Sequence, residues 1–486
     1  MTSCITNVRI INADEDFVGH VVWDDGKILA ICRDAINHVP TDVIIDGTGK
    51  ILLPGLIDAH VHFREPGLVH KEDLASGSAA AVSGGVTSFF DMPNTIPPTF
   101  TVALLDQKRA LAREKSVANF AFFMGASEHN AEEIRKATNI PGVKLYLNTT
   151  TGDLKMDTEE VWRQIFRIGK RVVLHAEGET FVRAVQIWEE EKYPCPLHLA
   201  HASQKKEIEL VRTFKAQNIP QIISCEVTPH HLLLSQGDAS VKPNIQSRAD
   251  KEALWEGVMD GTIDILATDH APHTQEEKAK GAYGIPGTET LLPIMVTEFQ
   301  KRNIPLTRFV NMTSENVVRI FGVQDKKGRI KEGYDADMVL IDVQGRGIIQ
   351  PENFFSKSKW SPFAGWESQV KVEQTFVGGE CVFEKGVLKN SDFRGKEVRF
   401  LGTGNVGLSL KYSERKIKGH KNFSQLSSRA NRGDLRNTDC RVLRFAQSSQ
   451  GQQMSFWILS VWGFLFCCVL SPIEKSGIDR FENHSG

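Results

Sequence analysis

Along residues 5–48, short runs rich in β-branched and apolar residues (8–11, 20–23, 27–31 and 43–45) alternate with turn signals such as Asp24-Asp25-Gly26 and Asp46-Gly47-Thr48-Gly49. This pattern predicts a small β-sheet subdomain. From 51 to 327 the texture changes to short apolar runs separated by longer amphipathic stretches, the mark of repeated βα units around a parallel sheet. The predicted strands are 55–60, 87–91, 119–123, 142–147, 172–175, 197–201, 222–226 and 263–268. Eight such units in about 270 residues define an α/β protein with a (β/α)8 TIM barrel, whose active site is built from the carboxyl ends of the strands.

Residues 328–390 return to the β texture, through Gly328-Arg329-Ile330, Gly333-Tyr334-Asp335-Ala336-Asp337 and an apolar run at 338–341. Segments 1–50 and 328–390 therefore pair into one β-sandwich subdomain, with the barrel at 51–327 as an insertion. After Asn390 the character breaks. Between 391 and 450, thirteen Lys/Arg face five Asp/Glu with little hydrophobic period, so 391–486 is expected to be an atypical tail, either disordered or the product of a frameshift or read-through. Within it, 402–407 fits GxGxxG but lacks the βαβ continuation and acidic partner of a dinucleotide site. The run 400–407 also resembles the opening strand of metallo-β-lactamase-fold hydrolases, without the His-rich motif that should follow. An apolar stretch at 456–470 falls short of the roughly twenty residues of a spanning helix, which makes a tail anchor the lesser alternative.

Composition narrows the function. The 486 residues carry a formal charge of −2, which argues against nucleic acid or a charged membrane surface and leaves a small molecule as partner. The eight cysteines form no CxxC pair, and Met1-Thr2-Ser3-Cys4 opens no secretory signal, so a cytoplasmic location with reduced thiols is expected.

The chemistry gathers at the predicted strand ends. His60-Val61-His62 puts two imidazoles on one side of a strand, because side chains two apart share a face, and both can reach one divalent cation. Lys144 lies inside an apolar strand, where burial favours the neutral amine. Such an amine adds carbon dioxide to give a carbamate whose two oxygens can bridge two cations. His175 and His201 end two further strands; His198, three residues before His201, faces the other way and reads as structural. Asp269, at the tip of the last strand, can bind a cation and exchange a proton with its water.

Over roughly residues 1–390 the chain resembles the dihydroorotases of the urease-like amidohydrolase superfamily. The motifs are His60-Val61-His62-Phe63-Arg64-Glu65-Pro66-Gly67, Asp91-Met92-Pro93-Asn94-Thr95 and Asp269-His270-Ala271-Pro272-His273-Thr274. The runs 144–148 and 225–231 are similar to the branch containing the dihydroorotase domain of the animal multifunctional pyrimidine-synthesis protein. This resemblance implies two zinc ions: one on His60, His62 and Asp269, a second on His175 and His201, with carbamylated Lys144 and a hydroxide bridging them and Asp269 moving the proton. It implies substrate contacts from Arg64, Asn94 and His273, from Thr150 on the loop after Lys144, and from Lys242, where that branch often carries arginine. Glu226, His230 and His231 are candidates for support of the ligands or for an additional metal. The implied reaction interconverts N-carbamoyl-L-aspartate and L-dihydroorotate, in a homodimer able to associate with aspartate transcarbamoylase. A dihydropyrimidinase, hydantoinase or allantoinase is the alternative enzyme. An inactive scaffold subunit is disfavoured because all six ligand positions are filled.

Overall fold

The computed structural model describes residues 1–33, 41–150, 154–217 and 223–401. The GxGxxG run, the apolar stretch at 456–470 and the rest of the tail beyond Leu401 lie outside the described residues.

Five strands come first: β1 (Ser3–Ile11), β2 (Asp16–Asp24), β3 (Lys27–Cys32), β4 (Val43–Asp46) and β5 (Lys50–Pro54). The barrel strands follow as β6 (Leu56–Val61), β7 (Val86–Asp91), β8 (Asn119–Phe122) with its continuation β9 (Met124–Gly125), β10 (Val143–Tyr146), β11 (Val172–His175), β12 (Leu197–Leu199), β13 (Ile223–Val227) and β14 (Ile265–Leu266). After the barrel come β15 (Met338–Asp342), the small hairpin β16 (Gly347–Ile348) and β17 (Glu367–Ser368), then β18 (Lys371–Val377), β19 (Glu380–Glu384) and β20 (Val387–Leu388).

Both flanking segments share one nine-stranded sheet in the order β20-β19-β18-β15-β5-β1-β2-β3, with β4 also on β1. The seam is the antiparallel pair β5–β15, with Ile51 opposite Ile341 and Leu53 opposite Val339. Ile10, Trp23, Leu52, Met338, Leu340 and Phe376, drawn from both ends of the chain, fill a common core. Because β5 belongs to this sheet, the barrel proper opens at Leu56 and not at 51. Gly55 makes the transition possible: a Cβ there would lie 2.2 Å from Oγ1 of Thr87 on β7.

All eight predicted barrel strands form, and they are parallel. The third is split at Phe123, because β8 pairs with β7 while β9 pairs with β10. The ring closes through a parallel bridge between Val61 and His270 and a hydrogen bond from the His62 amide to the His270 carbonyl (2.8 Å). Ile57, Phe90, Phe123, Val173 and Ala267 pack inside, and Phe321, Val398 and Phe400 belong to the same cluster.

The break in composition after Asn390 and the end of packing do not coincide. The Phe120 amide donates to the Lys396 carbonyl (3.0 Å), the Val398 amide to Phe120 (2.9 Å), and the Leu401 amide to Gly322 (2.7 Å). Phe400 meets Phe90 edge-on, with centroids 5.4 Å apart. Residues 391–401 thus strap the barrel, and a Cβ on Gly395 would lie 2.0 Å from the Ala118 carbonyl oxygen. No helix among the described residues is long and apolar enough to cross a membrane.

Candidate active site

A register irregularity between Asp58 and Val61 in the β6–β7 pairing re-aims the end of β6. Ile57 and Ala59 join the barrel core, while His60 and His62, out of phase with them, line a cavity at the carboxyl ends of the strands. Such a bulge is a common way to redirect a functional side chain. Lys144 and Tyr146, alternate residues of β10, line the same cavity, as do His175, His201 and Asp269.

These six ligand-type residues are all buried and converge. Asp269 Oδ1 lies 3.0 Å from His62 Nε2 and 3.3 Å from His60 Nε2. One ligand atom from each of these three residues lies within 4.8 Å of the others. Lys144 Nζ is 3.5 Å from His60 Nε2, and His175 Nδ1 is 2.8 Å from His201 Nε2.

The surrounding hydrogen bonds aim these atoms. His60 Nδ1 meets the Glu226 carboxylate, and His62 Nδ1 meets Asn94 Oδ1 at 2.6 Å, so both Nε2 lone pairs turn inward. His175 donates through Nε2 to the Thr149 carbonyl (3.3 Å), which leaves its Nδ1 lone pair facing His201. Burial pushes His62 down to about 4 and His175 to about 3, and holds His201 well below the usual imidazole range. It also brings Lys144 down to about 8. Burial alone would raise Asp269, but His60 and His62 outweigh it and hold the carboxyl well below its usual range. Converging nitrogen bases with a carboxylate between them form a donor set that suits a divalent cation.

Glu226 is the hub beneath the site. Besides His60 it accepts from His198 Nε2 (3.2 Å) and from the His201 amide (3.1 Å). Burial opposes its charge, and His60 and His198 more than compensate, holding it low. His198 also meets Ser224 Oγ at 2.8 Å, so both of its ring nitrogens are engaged. His231 is tied at both ring nitrogens, to Thr228 Oγ1 (2.8 Å) and the Pro243 carbonyl (3.1 Å). It braces the segment carrying Lys242 and leaves no lone pair for a metal. His230 packs beside it, ring centroids 4.5 Å apart, with its Nε2 unpartnered.

Of the expected substrate contacts, Arg64, Asn94, Thr150 and Lys242 line the cavity. Arg64, in a left-handed backbone conformation (φ 64°), is 2% exposed. It donates through Nε to the Pro272 carbonyl (3.2 Å) and through Nη2 to His273 Nε2 (3.1 Å). No carboxylate among the described residues forms an ion pair with it. His273, the fifth expected contact, is joined to Arg64 by this hydrogen bond. The sequence reading passed over Tyr146, whose buried hydroxyl has no hydrogen-bond partner, although its position two residues after Lys144 places it on the same face. It also passed over Tyr283, whose ring lies 5.1 Å from Lys242 Nζ at the cavity edge, and Asp58, which accepts from the Thr268 amide (3.1 Å) and hydroxyl (2.6 Å).

A metal-ligand cluster at the carboxyl end of a TIM barrel, flanked by a sandwich from both chain ends, defines a class of hydrolases. Residues 51–382 match the Amidohydrolase family, and the chain belongs to it. Within that family the chain is similar to curated dihydroorotases. That of Methanosarcina mazei is 32% identical over 443 residues, covering 81% of this chain and 96% of the relative. That of Bacillus cytotoxicus is 33% identical over 429 residues, covering 79% and 99%. The Multifunctional protein CAD of Squalus acanthias is 36% identical over 363 residues; the match takes in 72% of this chain but spans only 16% of that protein's length. Among solved structures, the L-hydantoinase (dihydropyrimidinase) of Arthrobacter aurescens superposes with a TM-score of 0.75 at 28% identity, covering 82% of this chain and 99% of that one.

Proposed function

We propose that the chain is a dihydroorotase, a metal-dependent hydrolase that opens the ring amide of L-dihydroorotate and closes it again from N-carbamoyl-L-aspartate. The observation that carries this reading is Arg64: a buried guanidinium at the wall of a ligand-lined cavity, without a carboxylate partner among the described residues. Burying such a charge is costly unless it is paired. The α-carboxylate of the substrate supplies the missing partner, and a guanidinium binds it through parallel hydrogen bonds. Lys242, across the cavity, adds positive charge but no fork. Neutral substrates of the hydantoinase and dihydropyrimidinase kind have no group to answer Arg64.

His60, His62 and Asp269 would hold one zinc ion and His175 and His201 a second, with Lys144 between them as its carbamate. When bound, the two ions supply a water acidic enough to attack near neutral pH and polarise the ring carbonyl. The chain's own groups do the rest. Arg64 orients the ring through its carboxylate, with Asn94, Thr150 and Lys242 at the cavity wall. The Asp269 carboxylate takes the proton released in the attack and hands it to the departing amide nitrogen; in ring closure it takes a proton from the carbamoyl nitrogen.

The test is turnover of dihydroorotate and of neutral dihydrouracil by the wild type and by Arg64→Ala and Arg64→Lys. We expect selectivity for the acid, and a rise in KM for dihydroorotate of about 100-fold in Arg64→Ala, the size of a lost charge-assisted pair. Preference for dihydrouracil, or an indifferent Arg64→Ala, overturns the reading.

A further inference from the structure

Among the described residues, two buried side-chain atoms without a hydrogen-bond partner belong to residues lining the active-site cavity: Nδ1 of His201 and the hydroxyl of Tyr146. The first is on a metal-ligand candidate. The second has no part in the chemistry above. Burying a hydroxyl without a partner is destabilising, and here the unmet bond belongs to the wall of a binding cavity.

The strand holds this side chain in place. Tyr146 pairs with His175 across β10 and β11, and its carbonyl accepts from the Met156 amide (2.8 Å). Its ring centroid lies 5.7 Å from that of His175 and 5.5 Å from Lys144 Nζ, and the residue is 2% exposed. The charged groups that act on the hydroxyl are Asp269, Asp91 and Arg64. Both carboxylates are already committed, Asp269 to His60 and His62, and Asp91 to Lys108 Nζ (2.5 Å) and the Phe63 amide (2.8 Å). Arg64 offers donors alone and cannot accept from a phenol. An anion paired with Arg64 can accept from both. The carbonyl under attack belongs at the metal-ligand cluster, which leaves the substrate's carboxylate as the acceptor on the Arg64 side.

We propose that Tyr146 is a further carboxylate-binding residue: its hydroxyl donates a hydrogen bond to the α-carboxylate that pairs with Arg64, so that the acid is gripped by a charged donor from the loop after β6 and a neutral one from β10. This rests on the reading of Arg64 as the carboxylate clamp. A site built around such a hydroxyl also rejects a neutral ring, which leaves the group bare.

The experiment compares the full-length wild type with Tyr146→Phe, which keeps the ring against His175 and Lys144 and removes the hydroxyl. Metal content should be unchanged. Without ligand the variant should melt at or above the wild-type temperature, because an unmet hydrogen bond has been deleted. KM for dihydroorotate should rise about tenfold, as for a lost hydrogen bond to a charged group, with kcat within about twofold, the mark of a grip exerted equally before and in the transition state. A crystal structure with orotate, the planar analogue that keeps the carboxylate, should show the Tyr146 hydroxyl within hydrogen-bond distance of that carboxylate. An unchanged KM, a lower melting temperature of the unliganded variant, or a hydroxyl bonded in the crystal to a ring carbonyl overturns the proposal. A wild type inactive on dihydroorotate, or orotate seated away from Arg64, would instead strike the reading of Arg64, and does so on the wild type alone, before the variant is compared.

Discussion

Lys144 Nζ lies 3.5 Å from His60 Nε2, two nitrogen bases brought together from β6 and β10 inside a closed barrel. Lys144→Ala removes the group proposed to bridge the two ions. Metal content per chain and turnover should fall together, turnover by more than about 100-fold, since even groups that only support a ligand are worth 10–100-fold. A short carboxylic acid in the buffer should restore part of both. Full turnover by the variant without additive contradicts the bridging role.

Glu226 aims His60 without facing the cavity. In Glu226→Gln the amide cannot offer the same acceptor to His60, His198 and the His201 amide at once. Zinc affinity, read by chelator competition, should drop by about 10–100-fold, with recovery of turnover at high zinc. Unchanged affinity would mean that His60 is held by the barrel alone.

The strap at 391–401 makes a prediction about length. A chain ending at Leu401 should melt where the full chain does. One ending at Asn390 loses Val398 and Phe400 from the barrel cluster, and Phe400→Ala alone should cost about 3 kcal/mol, the lower end for truncating a buried aromatic. Equal unfolding midpoints for the two truncations would show the strap to be dispensable.

The pH dependence of stability can be traced to Glu289, which accepts from the amides of Phe355 (2.7 Å) and Ser356 (3.2 Å) and from the Ser83 hydroxyl (3.0 Å). Burial, reinforced by the nearby Glu72, raises it from an ordinary 4.5 to about 7. The folded state therefore keeps a proton that the unfolded chain loses. Its contribution is full below pH 4.5 and lost as pH rises to about 7. Glu289→Gln cannot titrate, so its melting temperature relative to wild type should climb between pH 4.5 and 7 and then level off. A constant difference across that window would remove Glu289 as the source.

Strand-end chemistry was largely legible in the sequence because five of the eight barrel strands carry a candidate ligand within or just past them, as Lys144 inside β10, His175 at the end of β11 and Asp269 beyond β14 do. What periodicity cannot report is contact across the fold. The carboxylate that aims His60 is 166 residues away, and the same three-residue window that sets His198 apart from His201 is silent about their common partner, Glu226. Local irregularity is equally hidden. The bulge that turns His60 and His62 inward arises from how β6 sits on β7, and the split at Phe123 from one strand serving two neighbours. The strap was missed for a compositional reason: Arg394, Lys396 and Arg399 give 391–401 the charge of the tail, while the two side chains that matter to packing, Val398 and Phe400, are spaced as a strand too short to register.

The β5–β15 seam has a consequence for synthesis. When β5 leaves the ribosome, the strand that will cover its open edge is still about 280 residues from being made, some 15–60 s at about 5–20 residues per second. For that interval a half-finished sheet with Leu52 and Leu53 on an unpaired edge is available to any other extended chain. The nascent protein's exposure to chaperones, and its hazard of aggregation, is therefore concentrated at the open edge of β5 and ends only when β15, through Asp342, has been made.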